Sequence, residues 1–274
     1  MNIRLAHESP ISIFDTVQKA TDYDYCLVHL MEESETYRQK FEKAKADGRM
    51  IYLDTSIFEL GTAFDPDKFA GWVERLRPDY FFVPDVLEDG YSTMKQMSEW
   101  NQKYRGLPGE RVGVVQGRDL IEIMDCYRYM DQTADVSMIA FSFDYSMYHN
   151  LFPSPNKYVS WAMGRVMLLN KLLELRVINT SKKHHLLGCS LPLEFRYYRE
   201  FGYDWIYSID TSNPVVHAIK SVRYEENLGL MNKDSQKLFE MINYPADQID
   251  KDTLVHNLYQ FRRIVNGTAN GWNV

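Results

Sequence analysis

Six polar residues, Asp54, Asp85, Gln116, Ser142, Asp144 and Asp210, each close a short apolar run, and Asp54, Gln116 and Asp210 stand directly before turn-forming residues. The clearest case is Trp205-Ile-Tyr-Ser-Ile-Asp210, followed at once by Thr211, Ser212, Asn213 and Pro214. A carboxylate at the tip of a buried strand is expected there. Two carboxylates on opposite sides of a pocket suit displacement at an anomeric carbon, one as nucleophile and one as acid/base. A third carboxylate beside an amide suits a planar heterocycle. Guanine offers N–H donors on N1 and N2 to a carboxylate and an O6 acceptor to a glutamine amide. The set points to glycosidic-bond cleavage at a guanine nucleotide. Any one Asp after a strand also reads as a helix cap or turn former. Several carboxylates at one rim make that reading weaker, because like charges facing one another cost stability.

The elements that must position these residues recur with a rhythm. Asp54 to Asp85 is 31 residues, Asp85 to Gln116 is 31 and Gln116 to Ser142 is 26, each about one strand-helix unit. Strands are expected at Ile3 to Ala6, Tyr23 to Leu30, Met50 to Asp54, Asp79 to Asp85, Arg111 to Gln116, Val136 to Phe143, His184 to Cys189 and Trp205 to Asp210. Helices are expected between them, with Asp65-Pro66 opening one that runs to Leu76. A long aromatic excursion, Tyr145 to Ser160, interrupts the pattern before a helix from Trp161 to Leu175. Beyond the last motif come a helix over Val215 to Val222, a strand near Arg223, and helices over Lys233 to Ile242 and Lys251 to Val265.

The strands are apolar runs without alternation, as parallel strands buried on both faces are. At least seven units favour an α/β, (β/α)8 TIM-like barrel over an open doubly wound sheet. No G-x-G-x-x-G or P-loop follows any strand, which removes the commonest open-sheet ligands. The expectation is one domain over residues 1–274, with C-terminal helices at about 232–266 packed on the barrel.

Hydrophobic content of 45% with 14% aromatics allows a sizeable core. No stretch has the length of a membrane helix, and the first residues lack the basic-then-apolar pattern of a signal peptide, so a cytoplasmic location is expected. Cys26, Cys126 and Cys189 are scattered and form no C-x-x-C pair, which suggests buried thiols and no metal site. A formal charge of −7 argues against nonspecific coating of nucleic acid. A local basic stretch nevertheless holds Lys182, Lys183, Arg196 and Arg199, which are candidates for phosphate contact or part of an ordinary solvated surface of mixed charge.

The motifs Leu53-Asp54-Thr-Ser56, Pro84-Asp85, Val114-Val-Gln116-Gly117, Ile139-Ala-Phe-Ser142-Phe143, Leu186-Leu-Gly188 and Ser208-Ile-Asp210-Thr-Ser-Asn-Pro resemble, in order, those of the tRNA-guanine transglycosylase superfamily. The resemblance covers about Tyr23 to Ala218. The small size and the form of the first motif look closer to the phage and bacterial branch that inserts 7-deazaguanines into DNA. It implies Asp210 as the nucleophile at C1′ and Asp54 as the acid/base. It implies base recognition by Asp85, Gln116 and Gly117, by Ser142 and Phe143, and by Gly188. No cofactor is implied.

Three features depart from the family pattern. No cysteine follows Asp210, so the zinc subdomain of the tRNA enzymes is missing and His256 reads as an ordinary helix residue. Ala140-Phe-Ser-Phe143 replaces a Gly-rich segment, and Asn213-Pro214 stands where an arginine is usual. The first departure favours DNA over tRNA as polymer partner. The expected small-molecule substrate is a base such as 7-cyano-7-deazaguanine, and a homodimer is left open. In a duplex the guanine would be flipped out, with Tyr145, Tyr148, Phe152 or Tyr158 as stacking candidates, core packing or a dimer contact being the alternative for each. The alternatives are the same exchange on tRNA or a retaining glycoside hydrolase; the latter more naturally uses Glu, and no strand here ends in Glu.

Overall fold

The computed structural model describes residues 2–62, 64–225 and 238–267. Eight strands lie between its helices: β1 (Arg4–Ala6), β2 (Asp24–Leu27), β3 (Ile51–Asp54), β4 (Tyr80–Phe82), β5 (Glu110–Val115), β6 (Met138–Phe141), β7 (Lys183–Leu186) and β8 (Ile206–Asp210). They form one sheet in the order β1-β8-β7-β6-β5-β4-β3-β2. The recorded pairings are parallel, with Leu27 beside Asp54 and Ala6 beside Asp210. This is the expected α/β, (β/α)8 TIM-like barrel.

Several strands are shorter than expected, for local reasons. β2 stops at Leu27 because Val28–Glu33 turns helical, an ambiguity that a short apolar run cannot resolve. β4 covers only Tyr80–Phe82: Pro84 cannot donate to a ladder, so Asp85 stands beyond the strand. The helix signals were firmer. Asp65 caps the helix Pro66–Leu76 by accepting from Lys68 N–H, and Asp119 caps Leu120–Gln132 by accepting from Ile121 and Glu122 N–H.

Two compact units divide the chain. One comprises Tyr23–Ser142 and Leu172–His185. Here Tyr25, Tyr52 and Phe82 gather around His185, whose ring lies parallel to Tyr25 at 6.1 Å and 5.2 Å from Phe82. The preceding residue points to the other face, as alternation requires. His184 Nε2 meets Tyr127 Oη at 2.8 Å, and the same hydroxyl accepts Asn179 N–H at 2.9 Å. Tyr127 Oη thus bridges the Asn179 amide and the His184 ring.

The other unit comprises Met1–Asp22, Phe143–Lys171 and Leu186–Val274. Its helix Lys251–Asn266 packs on the helices Asn213–Ile219 and Glu194–Glu200. Ile13, Val17, Val215, Ile219, Leu254 and Leu258 close the core between them. Of the expected helix from Lys233 to Ile242, residues 233–237 lie outside the described residues, and Leu238–Met241 is a 3-10 turn. Near Arg223, among the described residues, Glu225 forms an isolated bridge. Among the described residues no helix is long and apolar enough to cross a membrane.

Burial pushes the His184 imidazole down to about 3, against an opposing bond from the Lys182 backbone. Its folded pKa lies below the unfolded value, so its stabilising contribution is complete above about 6.5 and is lost as pH falls towards 3. His184→Gln keeps an acceptor for Tyr127 without the titration. Urea unfolding at pH 8 and pH 5 should show the variant losing roughly 2 kcal/mol less stability than the wild type between the two. Parallel pH dependences would contradict this account of His184.

Candidate active site

In the unit that carries Tyr23–Ser142, Asp54 ends β3 and is 9% exposed. Its Oδ2 accepts Ser56 N–H at 2.7 Å, closing a tight turn that holds Ser56 in the left-handed region at φ 60°. Such a conformation is unfavourable for a non-glycine residue. The turn keeps the Asp54 carboxylate at the strand tip, and Ser56 Oγ accepts His29 N–H at 3.4 Å, tying the tip of β2 to that of β3.

Asp85 and Gln116 are 2% and 1% exposed and are bonded to each other, Gln116 Nε2 donating to Asp85 Oδ2 at 2.6 Å. Gln116 Oε1 accepts Glu88 N–H at 2.9 Å. With its oxygen and nitrogen each assigned by a partner, the amide has one orientation. The loops beneath are held by Glu122, which accepts Gly90 N–H at 2.8 Å and Arg118 N–H at 3.0 Å. Gly90 has to be glycine, since a Cβ there would stand 2.5 Å from the Gln116 carbonyl oxygen. Gly117, expected at the base, is constrained by packing too: a Cβ would lie 2.8 Å from Ile123 N. Burial raises the Asp85 carboxyl to about 6, the bond from Gln116 pulling the other way.

Ser142 follows β6 and is half-buried. In the other unit, Phe143, Gly188 and Asp210 come together. Asp210 ends β8 at 5% exposure, and its Oδ1 accepts Gly188 N–H at 3.2 Å. Gly188 adopts φ +61° and lies flat on Phe143, where a Cβ would stand 2.4 Å from the ring. Phe143 meets Trp161 edge to face at 5.8 Å.

Of the residues expected to hold phosphates, Lys182 and Lys183 lie at the start of a strand and not at its tip. Lys183 opens β7, at the opposite end of the strand from Gly188, and its Nζ donates to Tyr80 Oη at 2.8 Å. Lys182 precedes it and donates to the Asp131 carbonyl at 3.3 Å. Both belong to the N-terminal edge of the sheet, because a basic residue that begins a strand cannot reach its tip. Arg199 donates to the Arg263 carbonyl at 3.3 Å, capping the end of the C-terminal helix. Arg196, on the same short helix, is half-buried. Tyr145 and Tyr148 are 2% and 0% exposed and belong to the core, the alternative to a stacking role. Phe152 and Tyr158 remain half-exposed.

Two residues escaped sequence reasoning. Arg165 and Glu194 are wholly buried and joined by bonds of 2.6 and 2.8 Å. The one available signal was a lone arginine inside the apolar run Trp161 to Leu169. Cys26, Cys126 and Cys189 are all buried, and among the described residues no three His, Cys, Asp or Glu side chains gather as metal ligands. His256 lies in the C-terminal helix, bonded to Arg223 and to the Tyr224 carbonyl.

Comparison with known proteins adds little. No family model matches the chain, and no curated protein matches it. Among solved structures, a crystal structure of a citrate synthase variant aligns with a TM-score of 0.40 and 8% identity, over 76% of this chain and 83% of that one. A likeness at that level carries no argument about chemistry.

The raised Asp85 carboxyl has a thermodynamic consequence. An acid whose folded pKa exceeds its unfolded value of 3.8 loses stability as pH rises from there through about 6. Asp85→Asn removes that loss and keeps an oxygen for Gln116. The variant should be more stable than the wild type by about 1–3 kcal/mol at pH 8, with the difference vanishing below pH 4. Urea denaturation at both pH values tests it, and a variant less stable at pH 8 would contradict the assignment.

Proposed function

We propose that this chain is a guanine transglycosylase that exchanges guanine in DNA for a 7-deazaguanine base such as 7-cyano-7-deazaguanine. The observation that carries the reading is the Asp85–Gln116 pair, which presents a carboxylate acceptor beside an amide donor of fixed orientation. Those are the complements of the N1–H and N2–H donors and the O6 acceptor of guanine. A raised carboxyl that ionises near neutrality suits a site where the incoming base supplies the missing donors.

The chemistry assigned to the chain is a double displacement. An Asp210 oxygen attacks C1′ as the C1′–N9 bond breaks, and the bonding pair leaves with the base. Asp54 delivers a proton to the departing guanine. The result is a nucleotide joined to Asp210 through an ester. The incoming 7-deazaguanine gives its N9 proton to Asp54, attacks C1′ and expels the Asp210 carboxylate. No redox change occurs, and the proton account closes on Asp54.

The polymer is the less constrained part of the reading. Asp85, Glu88, Asp89, Asp119 and Glu122 outnumber Arg118 at the strand tips of their unit, so phosphates are repelled there. In the other unit Lys157 Nζ lies 5.0 Å over Tyr158 and 5.4 Å over Trp161. Basic and aromatic groups combined in this way suit a single strand or a flipped nucleotide.

The test is incubation with labelled 7-deazaguanine and duplex DNA, single-stranded DNA or tRNA. Label should enter DNA and should be absent from all polymers with Asp210→Asn. Label in tRNA alone would replace the DNA reading with its tRNA counterpart, and label in none would end the transglycosylase reading.

A further inference from the structure

The peptide between Leu187 and Gly188 has a partner on each side. Its carbonyl oxygen accepts Arg165 Nη1–H at 3.0 Å, and its N–H donates to Asp210 Oδ1 at 3.2 Å. A trans peptide points its C=O and N–H in opposite directions, so this single plane spans the gap between guanidinium and carboxylate. Arg165 Nη2 also donates to the Gly188 carbonyl at 2.9 Å. One planar cation thus grips two successive carbonyls of a turn that a left-handed glycine makes.

Arg165 can do this because Glu194 holds it. The pair is bidentate and wholly buried, and Glu194 Oε2 also accepts Tyr198 Oη–H at 2.8 Å. A buried ion pair is weak evidence for stability, since well-packed apolar groups often serve as well. Its retention here calls for another reason. A guanidinium bonded to a peptide oxygen polarises that peptide and strengthens the N–H on its far side.

We infer that Arg165 and Glu194 are positioning residues that fix the Leu187–Gly188 peptide so that its N–H orients Asp210 for attack on C1′. The inference rests on the proposed role of Asp210. It assigns neither residue a contact with substrate. Lysine in place of Arg165 keeps the charge against Glu194 but lacks the fork that reaches two carbonyls at once.

The experiment pairs kinetics with a measurement that does not depend on activity. In the exchange assay, Arg165→Lys should lower kcat about 100-fold with the KM for base within about threefold, the size of loss that misplacement of a reacting group produces. Arg262→Lys is the control, an arginine 7% exposed in the same unit that binds Asp22 and the Ala20 carbonyl; its kcat should stay within about threefold of wild type. An Arg165→Lys kcat within that same range, or a change confined to KM, overturns the inference. Independently, selective glycine labelling should show a Gly188 amide protected from exchange in the wild type, with a resonance that moves on Asp210→Asn. A freely exchanging amide that ignores Asp210→Asn overturns the inference whether or not Arg165→Lys folds. If the wild type exchanges no base while the amide behaves as described, the functional reading fails and the positioning geometry stands.

Discussion

A carboxylate removed from water must be hydrogen-bonded or neutralised, and that constraint organises the strand tips of this protein. Asp54 binds the Ser56 amide, Asp85 the Gln116 side chain, Asp210 the Gly188 amide, and Glu122 the amides of Gly90 and Arg118. Glu194 binds Arg165. In most of these pairs the partner is a backbone N–H in a turn beyond a strand, so satisfying the carboxylate and shaping the loop are one event. The turns in turn demand particular residues: glycine at 90, where a carbonyl lies too close for a side chain, and at 188, where the left-handed backbone rests on Phe143.

Asp85 is the exception that gives the site its character. Its side-chain partner is a neutral amide, and burial outweighs that bond and the one from its own backbone, so the carboxyl is raised to about 6. A protein selected for stability alone would do better with asparagine there. The retained carboxylate makes sense where a ligand with two N–H donors completes the shell, and guanine is such a ligand. Asp210 is held by a different device, a backbone N–H whose peptide oxygen is bonded to the buried Arg165.

Much of the fold could be read from the residues, because strand-helix recurrence and helix caps are local signals. Asp65-Pro66 opened its helix as expected, and the 31-residue spacing placed Asp54 at the end of β3 and Asp85 and Gln116 just beyond β4 and β5. Strand limits were less legible: Val28 to Leu30 continues from the strand without a break yet is helical, and Pro84 cuts β4 short. Charge along the sequence carried the least information on position. Lys182 and Lys183 adjoin a motif-bearing strand but lie at its beginning, a difference in direction that composition cannot express. Arg165 and Glu194, 29 residues apart, meet only through tertiary packing, and no spacing rule links them.

The central claim is that Asp210 attacks C1′, and the most direct measurement is capture of the covalent intermediate. A guanine-containing DNA oligonucleotide incubated with the protein without an acceptor base, then denatured and digested, should yield one modified peptide by mass spectrometry. The account predicts that this peptide contains Asp210, that it disappears with Asp210→Asn, and that adding 7-deazaguanine before denaturation discharges it. An adduct on Asp54 or Asp85, or exchange of base through Asp210→Asn at the wild-type rate, would contradict it.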